Sequence, residues 1–214
     1  MKQLALCLAA MILSAPALCG SLYTMEGGDL RRENNALSLS TVAAPLTLVW
    51  ASPICDSEPS SNPIILSDRI IQAYHWSVVC RSLVDGSILW NQRNSSVGLI
   101  WNPPVYDASR DLLYEGSMNG SVYALRPADG VVMWSLYEGS YPQVSTWGSV
   151  VYNNNMIYYC NANRSFVCID AASRAQIWRF NFANHQGCST PAIDAGLIYI
   201  AGTAGEIAWS KSAA

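Results

Sequence analysis

Tryptophan recurs along this chain at positions 50, 90, 134 and 178, spaced 40, 44 and 44 residues apart. Around the last three the neighbours recur as well: Cys80-Arg-Ser-Leu-Val-Asp85-Gly86-Ser-Ile-Leu-Trp90, Ala124-Leu-Arg-Pro-Ala-Asp129-Gly130-Val-Val-Met-Trp134 and Cys168-Ile-Asp170-Ala-Ala-Ser173-Arg174-Ala-Gln-Ile-Trp178. Each is an eleven-residue frame that begins with a small residue and ends in Trp, and a fainter copy runs from Ser40 to Trp50. Self-similarity at a period of about 20 to 50 residues constrains a fold more than local propensity does. A unit that short cannot bury its own apolar face and must stack on its copies.

The residues upstream of each frame repeat too. Pro104-Val-Tyr-Asp107 precedes Leu112-Leu-Tyr-Glu-Gly116, as Pro191-Ala-Ile-Asp194 precedes Leu197-Ile-Tyr-Ile-Ala201, with Met156-Ile-Tyr-Tyr-Cys160 and Ile70-Ile71 in the matching places. Hairpin turns fall at Asn119-Gly120, Asn163-Arg164 or Ala204-Gly205 within the units, and Asp85-Gly86 and Asp129-Gly130 turn the third strand of a unit into the fourth. Four short antiparallel strands every 40 to 44 residues are the signature of a β-propeller blade. The sequence therefore predicts an all-β chain of about four blades, an open arc or partial propeller, over residues 36–214. In that fold an indole ending the fourth strand lies on the neighbouring blade. Burying roughly 150 to 250 Å² apiece, Trp50, Trp90, Trp134 and Trp178 are the expected docking residues, and Gly86 and Gly130 leave room for close approach.

Composition removes several function classes. With 13% charged residues, against about 25% in average proteins, the chain is too apolar for intrinsic disorder and too poor in cations for a nucleic-acid surface. Lys2, the uncharged run from Leu4 to Leu13 and Ser14-Ala15-Pro16-Ala17 read as a secretory signal over residues 1–20, followed by an N-terminal segment over 21–35. A secreted or periplasmic chain follows, with no transmembrane helix, since the leader's apolar run is far shorter than the roughly 20 residues of a span. A lipid anchor on Cys19 is disfavoured because Ala17-Leu18 makes a poor lipoprotein box.

Export makes the cysteines disulfide candidates. Cleavage after Ala17 removes Cys7 and leaves six of the seven: Cys19, Cys55, Cys80, Cys160, Cys168 and Cys188. Cys160 and Cys168 flank the hairpin at Asn163. A three-residue loop from Asn163 to Ser165 would set them opposite each other, and a two-residue turn would offset them by one. Asn94-Ser-Ser96, Asn119-Gly-Ser121 and Asn163-Arg-Ser165 are acceptor sequons that matter only along a glycosylating secretory route. His75 and His185 lie in no carboxylate or Ser-centred pattern, so no nucleophile and base pair is proposed.

The eleven-residue frame resembles the tryptophan-docking motif of the PQQ-type repeat, small-x-Asp/Asn-x-x-Thr-Gly-x-x-x-Trp. That repeat occurs in quinoprotein dehydrogenases and in non-catalytic propellers of bacterial outer-membrane assembly. The resemblance covers roughly residues 36 to 209, with Asp or Ser in place of the Thr and Arg174 in place of one Gly. It implies one of two functions. The first is a non-catalytic binding or structural platform for a protein or carbohydrate partner, with no cofactor. The alternative is a fragment of a dehydrogenase for alcohols or sugars that uses pyrroloquinoline quinone and calcium. For the alternative, Trp101-Asn-Pro-Pro-Val-Tyr-Asp107 and Gly116-Ser-Met-Asn119 are similar to family segments whose Asn binds calcium, which makes Asn119 the one metal candidate. The residue-level reading gives Asn119 to its turn instead, and Asp107 and Asp194 are read as turn acids. The family's adjacent-cysteine pair is missing from the sequence. Taking away the leader leaves roughly 194 residues, about 4.4 periods of 44, where complete propellers have about four to eight blades. Trp209-Ser-Lys-Ser-Ala-Ala214 begins a further frame without its Gly and Trp, so an incomplete product that self-associates through open blade edges is expected.

Overall fold

A computed structural model describes residues 48–53, 61–93, 100, 102–117, 120–137, 149–161, 165–182, 189–194, 196–201 and 211–212. The described residues form fifteen strands and no helix. Consequently no helix among them is long and apolar enough to cross a membrane. The first sheet comprises β1 (Ile64–Ile65), β2 (Arg69–Tyr74), β3 (Ser77–Ser82) and β4 (Ile88–Arg93). The second comprises β5 (Val105–Asp107), β6 (Leu112–Gly116), β7 (Ser121–Leu125) and β8 (Val132–Tyr137). The third comprises β9 (Val151–Asn153), β10 (Met156–Asn161), β11 (Ser165–Asp170) and β12 (Gln176–Asn181). In all three, strand order follows chain order and pairing is antiparallel. A fourth sheet holds β13 (Ala192–Asp194), β14 (Leu197–Tyr199) and β15 (Lys211–Ser212).

The eleven-residue frame has one structure in three places. Its first residue lies directly across the ladder from its own tryptophan, in the pairs Cys80↔Trp90, Ala124↔Trp134 and Cys168↔Trp178. The small side chain thus makes space beside an indole. One residue on, the register slips in each sheet, a β-bulge that ends the ladder. Position three then closes a turn twice. The N–H of Ser82, Arg126 and Asp170 donates to the carbonyl of Ser87, Val131 and Ala175 at 2.9, 2.9 and 3.0 Å, and its own carbonyl accepts from Gly86, Gly130 and Arg174 at 3.0, 2.8 and 2.8 Å. Position six, Asp85, Asp129 or Ser173, accepts the N–H two residues later at 3.1, 3.2 and 3.3 Å. Any short acceptor serves there, which is why Asp and Ser interchange. Position seven carries a positive φ in every copy, 72° at Gly86 and Gly130 and 64° at Arg174.

Burial falls outward across each sheet. β3 and β11 are buried along nearly their whole length, whereas β4 and β12 are exposed or half-buried apart from Trp90. The core is three apolar clusters, one in each gap between successive sheets. Ile71, Val78 and Trp90 meet Leu113, Tyr123 and Leu125; Tyr114, Val122 and Ala124 meet Ile157, Val167 and Ile169; Tyr158, Phe166 and Cys168 meet Ile193 and Ile198. Stacked sheets of this kind are blades. Among the described residues no strand pairing joins the first sheet to the fourth.

The expected bridge between Cys160 and Cys168 does not fit this register. The hairpin pairs Asn161 with Ser165, so the loop is 162–164 and lies one residue earlier than 163–165. Ser165 is locked into the ladder: its backbone pairs with Asn181 and its hydroxyl donates to Asn181 Oδ1 at 2.7 Å. Cys160 therefore faces Phe166, and Cys168 faces Tyr158. Diagonal neighbours sit about 7 to 8 Å apart, beyond the Cα separation of roughly 4.4 to 6.8 Å that a disulfide spans. Cys168 is a buried thiol. No strand forms at Leu48–Trp50. The hairpin turn at Ala204-Gly205 lies outside the described residues.

Candidate functional site

The residues singled out by the repeat come together at the seams between blades. Trp50, 8% exposed, lies over Gly86 so closely that a Cβ there would sit 2.5 Å from its Cε3. Its indole N–H donates to the Leu83 carbonyl at 3.0 Å. Trp90, 9% exposed, repeats this on the next blade, with 2.6 Å to a Cβ placed on Gly130 and an N–H bond of 2.8 Å to the Pro127 carbonyl. Each tryptophan therefore docks on the turn of the following frame, not on the glycine of its own.

The third copy differs. Arg174 stands where Gly86 and Gly130 stand, and Trp134 is only half-buried. Its ring packs on Tyr114 at 5.7 Å between centroids, and no carbonyl among the described residues accepts from its indole. A side chain at position seven occupies the space an indole would fill. Trp178 packs on Tyr158 and Phe166, at 6.1 and 5.5 Å.

A polar hub crosses the seam between the second and third blades. Asp107, fully buried, accepts from Ser109 N at 2.9 Å, Ser109 Oγ at 2.6 Å, Arg110 Nη1 at 2.9 Å and Tyr114 Oη at 2.8 Å. It is thus a turn acid that holds Arg110, and Arg110 is the group that crosses to the neighbouring blade. Arg110 reaches on to Tyr152 Oη at 3.2 Å and to Asn155, whose amide donates to Asp170. Asn154 and Asn155 hold positive φ, which Asn tolerates. Burial alone would raise the Asp107 carboxyl, but the bonds from Ser109, Arg110 and Tyr114 outweigh it and hold the group below its ordinary value. Burial and the adjacent Asp107 push the Tyr114 hydroxyl upward, so it stays a donor. At the first seam, burial raises the Cys80 thiol to about 11, which leaves it protonated and inert.

Asn94, Asn119 and Asn163 lie outside the described residues, whereas Gly120, Ser121 and Ser165 of their sequons are described. Calcium takes about 6 to 8 oxygen ligands, and among the described residues no group of three or more His, Cys, Asp or Glu is placed to hold a metal ion. One polar residue went unremarked in the sequence. Glu115, 1% exposed, stands where the first, third and fourth sheets carry Gln72, Tyr159 and Ile200. An acid at a position that is otherwise uncharged was its only signal.

Stacked four-stranded antiparallel blades, interlocked by a tryptophan and a glycine turn, define a stretch of β-propeller. Residues 118–212 match the model of the family described as outer membrane protein assembly factor BamB. The outer membrane protein assembly factor BamB of Moranella endobia (strain PCIT) is 25% identical over 134 residues, 58% of this chain and 32% of that relative. The chain therefore spans about a third of the length of the curated relative it matches. Among solved structures, BamB from Moraxella catarrhalis aligns with a TM-score of 0.63 at 12% identity, covering 75% of this chain and 51% of that one. The quinohemoprotein alcohol dehydrogenase ADHIIG from Pseudomonas putida HK5 aligns with a TM-score of 0.66 at 15% identity, covering 84% of this chain and 34% of that one. At these identities the structural likeness shows the fold alone.

Proposed function

We propose that this chain is a non-catalytic platform, exported from the cytoplasm, whose blades hold a protein partner in the assembly of outer-membrane proteins. The observation that carries this reading is the match of residues 118–212 to an outer-membrane assembly factor, which covers the second seam's partner strands and the Asp107 hub's third-blade half. The seams fit such a role mechanically. Their interiors are filled by tryptophan, tyrosine and aliphatic side chains, so the blades form a stiff surface and recognition falls to the loops. The leader over residues 1–20 supports export. Glycosylation at Asn94, Asn119 or Asn163 belongs only to a host with that machinery.

Fold likeness to a quinohemoprotein dehydrogenase supports a second reading, a fragment of a quinone- and calcium-dependent enzyme in which Asn119 would ligate calcium. Two assays separate them. In the first, the purified chain is titrated with an outer-membrane β-barrel assembly complex; saturable binding supports the platform, and its absence overturns it. In the second, dye reduction is followed with added calcium and pyrroloquinoline quinone. Turnover abolished by Asn119→Ala would establish the enzyme.

A further inference from the structure

Between the first and second blades lies a small cavity lined by Val78, Gln92, Ile100, Glu115, Tyr123 and Leu125, with room for little more than a water molecule. Glu115 reaches it from β6, on the face that Leu113 also uses to meet the first blade. Both carboxyl oxygens are buried, and no side chain among the described residues bonds to either. The other polar side chains at the cavity, Gln92 and Tyr123, are uncharged, and no Lys, Arg or His lines it. The remaining titratable groups on the packed strands do not compensate. Cys80 on β3 is a buried thiol in the same cluster, Arg81 donates to the Gly86 carbonyl at 2.9 Å, and Arg93 at the end of β4 is exposed.

An unpaired carboxylate in such a place is far costlier than a neutral acid, because nothing replaces the water stripped from its charge. The neutral acid fits a closed seam; the charged form requires more water than so small a cavity holds, and parting the blades would supply it. We propose that Glu115 is a proton-operated latch of the first seam: protonated it lets blades one and two close, and ionised it opens the seam to water. Desolvation pushes the carboxyl well above its ordinary value, opposed only weakly by the backbone N–H of Gly116. The linkage has a definite sign. A folded-state value above the unfolded one, about 4.3 for Glu, means stability is lost as pH rises from there towards the folded value, and no further beyond it.

The test compares the wild-type chain with Glu115→Gln, which keeps the shape of the neutral acid and cannot ionise. Melting temperatures from about pH 5 to about pH 9 should fall for the wild type by at least about 3 °C relative to the variant. At neutral pH the infrared spectrum of the wild type should contain the carbonyl stretch of a protonated acid that the variant lacks. Amide exchange in Leu112–Gly116 and Ser121–Leu125, compared at equal pH, should rise in the wild type alone as pH increases. Parallel melting profiles, or no protonated-acid band at neutral pH, would overturn the latch. Should the variant fail to fold, the infrared band and its loss with rising pH, in step with exchange at the seam, decide the matter in the wild type alone.

Discussion

Gly130 lies beneath the six-membered ring of Trp90 with no space for a side chain: a Cβ would come within 2.6 Å of Cε3, 2.9 Å of Cδ2 and 3.0 Å of Cζ3. The contact joins the middle of one blade's fourth strand to the turn before the next blade's fourth strand, and the Pro127 carbonyl in that turn takes the indole N–H. Two requirements meet at one glycine, a positive φ and an empty Cβ position. Gly86 meets both in the same way beneath Trp50.

Gly130→Ala should therefore cost more than backbone strain. The φ of +72° accounts for about 1 kcal/mol with a non-glycine residue, and displacing a seated indole adds roughly 1 to 3 kcal/mol of overpacking. Gly196 offers the control, since its φ is +76° and nothing lies within 4 Å of its Cβ position. Urea unfolding of both alanine variants should show Gly130→Ala the less stable by at least about 1 kcal/mol. Equal midpoints would mean the indole yields without cost.

The tryptophans should not be equivalent. Trp90→Ala empties a buried site and loses an indole hydrogen bond, for about 3 to 5 kcal/mol. Trp134→Ala removes a half-buried ring with no such bond and should cost about half as much. Trp76, 46% exposed and outside the frame, should cost less than about 1 kcal/mol. Thermal melts in any other order would contradict the docking geometry.

The repeat made the blades legible before any coordinate was known, because strand number, turn position and the docking tryptophans all recur in one register. It placed each indole on the neighbouring blade without naming the residue that receives it, which for Trp90 is Gly130. Trp134 is less buried than Trp90 where Arg174 replaces the glycine of the receiving turn, a substitution whose steric meaning the sequence alone does not give. Cys160 and Cys168 were misjudged because a loop of three residues can start at 162 or 163, and only the bond from Ser165 to Asn181 decides. Asp107 read as a turn acid because its Tyr114 and Arg110 partners are set by the way the chain folds back. Glu115 carried no motif at all.

Arg174→Gly tests the third seam. Arg174 already has the glycine-like φ of 64°, so replacing it relieves about 1 kcal/mol of strain while adding roughly 0.5 to 1 kcal/mol of unfolded-state entropy. These nearly cancel. A net gain would have to come from Trp134 settling onto the turn, and about 1 kcal/mol of added stability is expected from the indole area newly buried. Tryptophan fluorescence should shift to shorter wavelength at the same time. No gain and no shift would show that something other than Arg174 holds Trp134 out.

Asp107 should make the second seam sensitive to acid. Its folded-state carboxyl is held below the ordinary value, so it contributes stability that is fully present above the unfolded value of about 3.9 and is lost as pH falls through the folded value. Asp107→Asn retains the size of the side chain but replaces one acceptor oxygen with a donor and removes the charge that Arg110 and Tyr114 meet at 2.9 and 2.8 Å. At neutral pH the variant should be less stable by about 1.5 to 3 kcal/mol, the usual contribution of bonds to a charged group. Below about pH 4 the two chains should converge, because the wild type then loses the same charge. This acid-side dependence is opposite in sign to that of Glu115. Urea midpoints measured from about pH 3 to about pH 7 would show the gap closing towards acid; a gap that stayed constant would mean Asp107 holds the seam by shape and not by charge.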